Sequence, residues 1–128
     1  MKRILTKGNM VLSIHAIKRY SERFSKNSSE LRRTSKNAFY NGVGYKSVGI
    51  SRPLIQYIQS KYRKYKNCDI RILGEITFIF IQNKYSNRIT LKTVLKTPPI
   101  LVAEYSKYKF MEAGLEYEKK RYIKMDRK

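Results

Sequence analysis

Apolar residues near the start of the chain recur at helical spacing, which predicts an amphipathic helix from about Ile14 to Phe24. Ser13 stands before the first of them and is a suitable N-cap. The expected buried stripe of this helix consists of Ala16, Ile17, Tyr20 and Phe24. A polar row along the edge of the stripe, spaced i, i+4 and i+8, consists of His15, Arg19 and Arg23.

A second helix is predicted from Asn27 towards Phe39. Asn27 and Glu30 stand at the three-residue spacing of a capping box, in which each side chain accepts the other residue's backbone N–H. The helix should stop by Gly42, because the segment 41–49 contains three glycines and is expected to form a loop. The spacing of these glycines matches neither a dinucleotide-binding loop nor a Walker loop.

The third predicted helix has Ser51 as its N-cap and Pro53 in its first turn, and it continues to Lys66. Its expected buried stripe consists of Leu54, Ile58, Tyr62 and Tyr65. Its end is strongly basic, with Lys61, Arg63, Lys64 and Lys66. These cations either complement the helix dipole as a solvated end or form a phosphate-contacting patch with interleaved tyrosines.

After residue 68 the pattern changes from helical spacing to strands. Residues 76–81 are apolar on both faces, which predicts a central strand. Residues 88–96 alternate: Ile89, Leu91 and Thr93 should share one face, and Arg88, Thr90, Lys92 and Val94 the other. The two strands should form an antiparallel hairpin across a turn at 83–87. Residues 69–73 should add a shorter strand, with Gly74 as a bulge or turn.

The hairpin should end at the Thr97-Pro98-Pro99 segment. Residues 100–103 are compatible with either a further strand or the entry to a helix, and the tail beyond them should form a C-terminal helix. This order predicts an α+β fold in which N-terminal helices pack on a small antiparallel β-meander, with a C-terminal helix. The length of 128 residues fits a single basic domain, 1–128, with frayed ends at 1–10 and 118–128.

The charge is large and one-sided: 29 Lys and Arg face nine Asp and Glu, for a formal net charge of +20 and a pI near 10.2. Residues 1–67 hold sixteen of these cations against two acids, so the excess lies mainly in the first half. Such a balance indicates an anionic partner, with nucleic acid as the first candidate. The side chains expected to contact a nucleic-acid backbone are Arg32, Arg33, Lys36, Lys61, Arg63, Lys64, Lys66 and Lys92.

The rest of the composition narrows the chemistry. His15 and Cys68 are the only histidine and cysteine, so no internal disulfide can form and the usual four zinc ligands are lacking. We therefore expect no metal and no cofactor. No apolar run is long enough for a transmembrane helix, and polar residues at 7–9 make the N-terminus a poor signal peptide. These features favour a cytoplasmic protein without a membrane partner.

The segment HAIKRYSERF, residues 15–24, resembles the opening His-Ala-x-x-Arg-x-x-x-Arg helix of small phage and mobile-element proteins. Together with GEITFIFIQ and TLKTVL it is similar to the RelE/BrnT-type toxin group, which falls within a wider class of small metal-independent endoribonucleases. The resemblance covers about residues 13–24 and 70–96. It implies a catalytic role for His15, Arg19 and Arg23, with histidine as acid or base and arginine on the phosphate.

Three functions follow from these observations. The first is a nucleic-acid-binding protein of phage or mobile-element type that contacts an RNA or DNA backbone through a basic face. The second is a metal-independent endoribonuclease of RelE/BrnT-like type. The third is a small phage protein that binds a host protein, an antitoxin with an acidic surface or a nucleoprotein complex, and a homodimer stays open in each case. Incubation with RNA in EDTA separates binding from cleavage.

Overall fold

The computed structural model describes the backbone of residues 10–82 and 88–126, and the side chains as far as Ala113 except that of Ser28. The predicted turn at 83–87 therefore lies outside the described residues. In chain order the elements are β1 (Met10–Leu12), α1 (Ile14–Phe24), α2 (Ser28–Asn41), α3 (Arg52–Tyr62), β2 (Asp69–Leu73), β3 (Ile76–Gln82), β4 (Ile89–Lys96) and α4 (Pro99–Asp126).

The fold is α+β, as the sequence predicts, but the sheet is mixed and not purely antiparallel. The strand order is β1-β4-β3-β2, in which the three later strands form the expected antiparallel meander. The correction comes from β1, which pairs in parallel with β4 from Met10 opposite Ile89 to Leu12 opposite Leu91. Three residues are too few to show a strand period, so the sequence pattern conceals this strand.

Helices cover both faces of the sheet. On one face α1 and α2 enclose a core that includes Tyr20, Leu31, Phe78 and Phe80. On the other face α3 and the start of α4 enclose a second core that includes Leu54, Ile58, Ile70 and Ile79. The central strand β3 contributes to both, which explains why its sequence is apolar at nearly every position.

A register shift in the β3–β4 pair corrects the predicted alternation of β4. Ile79 pairs with Thr93 and Phe80 pairs with Leu91, so Lys92 is an extra residue opposite no partner. Because such a bulge reverses the face of the residues that follow it, Val94 joins Leu91 in the first core. The sequence pattern had placed Val94 on the opposite face, and that prediction was wrong.

The predicted N-caps of α1 and α2 are confirmed. Ser13 Oγ accepts the Ala16 N–H at 3.0 Å, and Asn27 Oδ1 accepts the Glu30 N–H at 3.1 Å, so both N-caps form. Ser51 occupies the N-cap position of α3 without a side-chain cap, and its buried hydroxyl has no hydrogen-bond partner among the described residues.

The structure corrects two predicted boundaries and decides a third that the sequence left open. The helix α3 ends at Tyr62 and not at Lys66. Residues 100–103, left open between strand and helix, belong to the first turns of α4. Met10, predicted to lie in a frayed end, is fully buried in β1, whereas residues 1–9 and 127–128 lie outside the described residues.

Among the described helices none combines the length and the apolar composition needed to cross a bilayer.

Candidate nucleic-acid interface

Two lysines from different elements approach the ring of Tyr65, just beyond the end of α3. Lys64 Nζ lies 5.5 Å and Lys92 Nζ 5.7 Å from the centre of the ring. Tyr65 itself is only 8% exposed and belongs to the second core. Both distances fall within the range of a cation–π contact. The bulge in β4 therefore brings a strand lysine to the basic end of a helix.

A third lysine makes the same kind of contact one turn earlier. Lys61 Nζ lies 5.2 Å from the centre of the Tyr57 ring. We call the cations of this region the Tyr65 cluster, which consists of Lys61, Arg63, Lys64, Lys66 and Lys92. Within the described part of the chain, none of the five forms an ion pair with a carboxylate. The sequence predicted all five as backbone contacts. The structure brings Lys64 and Lys92 to one ring, and Arg63 and Lys66 are neighbours of these residues in the chain.

Buried hydroxyl groups anchor the aromatic side of the cluster. The hydroxyls of Tyr57 and Thr77 are 2.9 Å apart, and those of Thr77 and Thr97 are also 2.9 Å apart. This chain of hydrogen bonds joins α3 to the sheet and to Thr97, two residues before α4. Burial raises the pKa of Tyr57, and the hydrogen bond with Thr77 opposes that rise. The ring beneath Lys61 is thus held by an internal polar network.

The remaining predicted contacts lie on α2, on the opposite face of the sheet. Arg32 Nη1 donates to the main-chain oxygen of Met10 at 2.7 Å and so fastens β1. Arg33 is exposed and Lys36 is half-buried. The eight predicted binding residues therefore divide into two groups on opposite faces, and the structure gives Arg32 an internal partner.

The side chains of His15, Arg19 and Arg23 on α1 do not meet at one site. Arg19 Nη1 lies 3.3 Å from Glu22 Oε2 at the surface, whereas Arg23 Nη1 donates to the main-chain oxygen of Val94 in β4. His15 is exposed in the first turn. It does not line any of three clefts formed by the described residues, at the edge of β2, beside the end of α1 and beside the end of α2.

A cleft of about 590 Å³ at the outer edge of β2 was not predicted. One of its walls is an ion pair in which Arg71 donates to both carboxylate oxygens of Asp69, from Nε at 2.8 Å and from Nη2 at 3.1 Å. The guanidinium carbon also lies 5.6 Å from the centre of the Phe39 ring. A Cβ on Gly44 would approach Arg71 Cδ and Nε to 3.1 Å, so glycine permits this close passage.

The signal that could have located the cleft is weak. Gly42 and Gly44 flank a short bridge in which Val43 pairs with Ile72 of β2, and glycines often mark such close approaches of two segments. The sequence alone does not say which side chain the glycines admit. Among the described residues, no group of three or more His, Cys, Asp or Glu side chains could hold a metal ion.

The chain matches no protein-family model, and searches of curated proteins and of solved structures returned no match either.

Proposed function

We propose that this protein binds the phosphate backbone of nucleic acid through the Tyr65 cluster. The observation that carries the proposal is the approach of Lys64 and Lys92 to one tyrosine ring, in a region where no described carboxylate pairs with them. The formal net charge of +20 supports the same conclusion for the chain as a whole.

Three lysines elsewhere in the described chain have a carboxylate partner, which the cations of the Tyr65 cluster lack. Lys26, Lys107 and Lys109 each lie within 4 Å of a glutamate oxygen on their own or a neighbouring turn. In the cluster the aromatic rings offset only part of the repulsion between like charges. A phosphate can bind there without displacing a carboxylate, and it would relieve the repulsion that remains.

The tyrosines of the cluster serve as supports and not as stacking surfaces for bases. Tyr57 and Tyr65 are each 8% exposed, so their rings have little free face to offer. The cluster therefore supplies charge without base contacts, which favours affinity over sequence specificity. On this basis we expect both RNA and DNA to bind, with a strong dependence on salt.

The test is a pair of charge reversals that change the net charge equally. Lys64→Glu/Lys92→Glu alters the cluster, and Lys18→Glu/Lys107→Glu alters two exposed lysines outside it. Binding of fluorescent single-stranded RNA and duplex DNA is measured in EDTA at low salt. The cluster variant should lose about tenfold or more in affinity relative to the control variant. Equal losses in the two variants would show that net charge alone governs binding and would overturn the proposal.

A further inference from the structure

The cleft at the outer edge of β2 combines aromatic and polar groups. Tyr45 stands at one side and is half-exposed, and Tyr62 stands at another and is half-buried. The amide side chains of Asn67 and Gln82 line it with the Asp69–Arg71 pair. Its volume of about 590 Å³ falls within the usual range for small-molecule sites, roughly 300–1,000 Å³.

Contacts with neighbouring residues hold the side chains that line the cleft. Arg71 is fixed by both oxygens of Asp69 and lies against Phe39. Tyr62 packs against the second core, and burial raises its pKa while an interaction with the backbone of Ile70 opposes that rise. At the rim, the Tyr45 hydroxyl accepts a long hydrogen bond from Gln59 Nε2, at 3.5 Å. The Asp69–Arg71 wall is therefore set before any ligand arrives, whereas Tyr45 stands half-exposed at the rim.

The side-chain amides of Asn67 and Gln82, in contrast, are available for hydrogen bonds to a ligand. No hydrogen bond joins the side chain of Asn67 or Gln82 to another described residue. Each has an amide donor and a carbonyl acceptor, and each oxygen of Asp69 retains a lone pair after binding Arg71. Donors and acceptors in the same cleft as an exposed aromatic side chain can contact the edge and the face of a planar heterocycle.

The cleft adjoins the Tyr65 cluster through residues 65–68. Cys68 lines the cleft, and its thiol lies 3.6 Å from the main-chain oxygen of Lys66, a member of the cluster. Burial raises the pKa of the Cys68 thiol, and the nearby charge of Lys92 opposes that rise. One polymer can therefore reach the cluster and the cleft together.

We propose that the cleft receives one unpaired base of a single-stranded nucleic acid whose phosphates lie on the Tyr65 cluster. This inference rests on the proposed function, because the cluster supplies the backbone contacts. The base would lie against Tyr45 and present its edge to Gln82, Asn67 and the Asp69–Arg71 pair. A duplex keeps its bases stacked and paired, so only a single strand can use the cleft.

The test compares a single-stranded oligonucleotide with one of the same length that contains abasic sites, which keeps the phosphates and removes the bases. The wild-type protein should bind the base-containing strand about tenfold more tightly. Tyr45→Ala should abolish this preference without changing affinity for the abasic strand, and Tyr45→Phe should retain it. Phe110→Ala is the control, since Phe110 is an aromatic residue of α4 that is 81% exposed and does not line the cleft.

The outcomes separate the two proposals. Equal affinity of the wild-type protein for both strands, or equal effects of Tyr45→Ala and Phe110→Ala, would overturn the base-binding cleft. Neither result would affect the cluster, whose failure appears as equal losses of affinity in Lys64→Glu/Lys92→Glu and Lys18→Glu/Lys107→Glu, or as no loss in the former. Circular dichroism of each variant checks that the fold is retained.

Discussion

The Ser13 hydroxyl joins the start of α1 to the main chain of Lys92 at the bulge of β4. It donates to the Lys92 carbonyl oxygen at 2.9 Å and accepts the Ala16 N–H at 3.0 Å. The Ser13 N–H also donates to the Leu91 oxygen at 3.1 Å. Ser13 therefore caps α1 and also fixes β4 at Lys92, the bulged residue that belongs to the Tyr65 cluster.

We predict that Ser13→Ala lowers the free energy of unfolding by about 1–3 kcal/mol. Loss of an N-cap costs about 0.5–2 kcal/mol, and the bond to Lys92 contributes about a further 1 kcal/mol. Urea denaturation followed by circular dichroism measures the change. Ser106→Ala is the control, because its hydroxyl only bonds back to the Val102 oxygen within α4. Equal stability of the two variants would contradict a joining role for Ser13.

The elements with strong local signals could be predicted from the sequence. The bounds of α1 follow from Ser13 and a four-residue apolar stripe, and both cap and stripe are local properties. β1 and the bulge at Lys92 could not be predicted, because both depend on partners distant in the sequence. Tertiary pairing, and not propensity, places these two features.

The candidate site was predictable only where its residues are close together in the sequence. A run of cations at the end of α3 is visible in the sequence, and the structure adds Lys92 to it through the bulge. The cleft was missed because its walls come from residues 44–47, 62–71 and 82, which no local motif links. The sequence also did not indicate that the exposed Arg32 donates a hydrogen bond to the main-chain oxygen of Met10 in β1.

Salt should weaken nucleic-acid binding steeply. Contact with about six phosphates of duplex DNA gives a slope near −5 when the logarithm of the association constant is plotted against that of salt concentration. Lys64→Glu/Lys92→Glu should make the slope shallower by about two, since each lost phosphate contact removes about one unit. Fluorescence anisotropy titrations across a salt series measure both slopes. An affinity that does not change with salt would contradict an electrostatic interface.

Alkaline pH should destabilise the fold through its buried tyrosines. Burial raises the pKa of Tyr57 above its ordinary value of 10.0. Above that value the unfolded chain loses the proton while the folded chain keeps it, so the stability present at lower pH is lost as pH rises. Urea denaturation between about pH 9 and pH 11 should show a smaller loss in Tyr57→Phe than in the wild type. The control is Tyr45→Phe, which alters an exposed ring; a smaller loss in both variants would implicate tyrosine content and not burial.

His15→Ala should leave nucleic-acid affinity unchanged, because the exposed imidazole takes no part in the contacts of the Tyr65 cluster. The resemblance to RelE/BrnT-type ribonucleases adds a separate prediction for the same variant. If that resemblance extends to activity, the wild-type protein cleaves RNA in EDTA, and His15→Ala lowers the cleavage rate by about 10²–10⁴-fold because the catalytic acid or base is removed. Gel analysis of labelled RNA measures cleavage, and anisotropy measures affinity in the same buffer. RNA that stays intact with the wild-type protein would contradict the ribonuclease interpretation, whereas weaker binding by His15→Ala would move the interface towards α1.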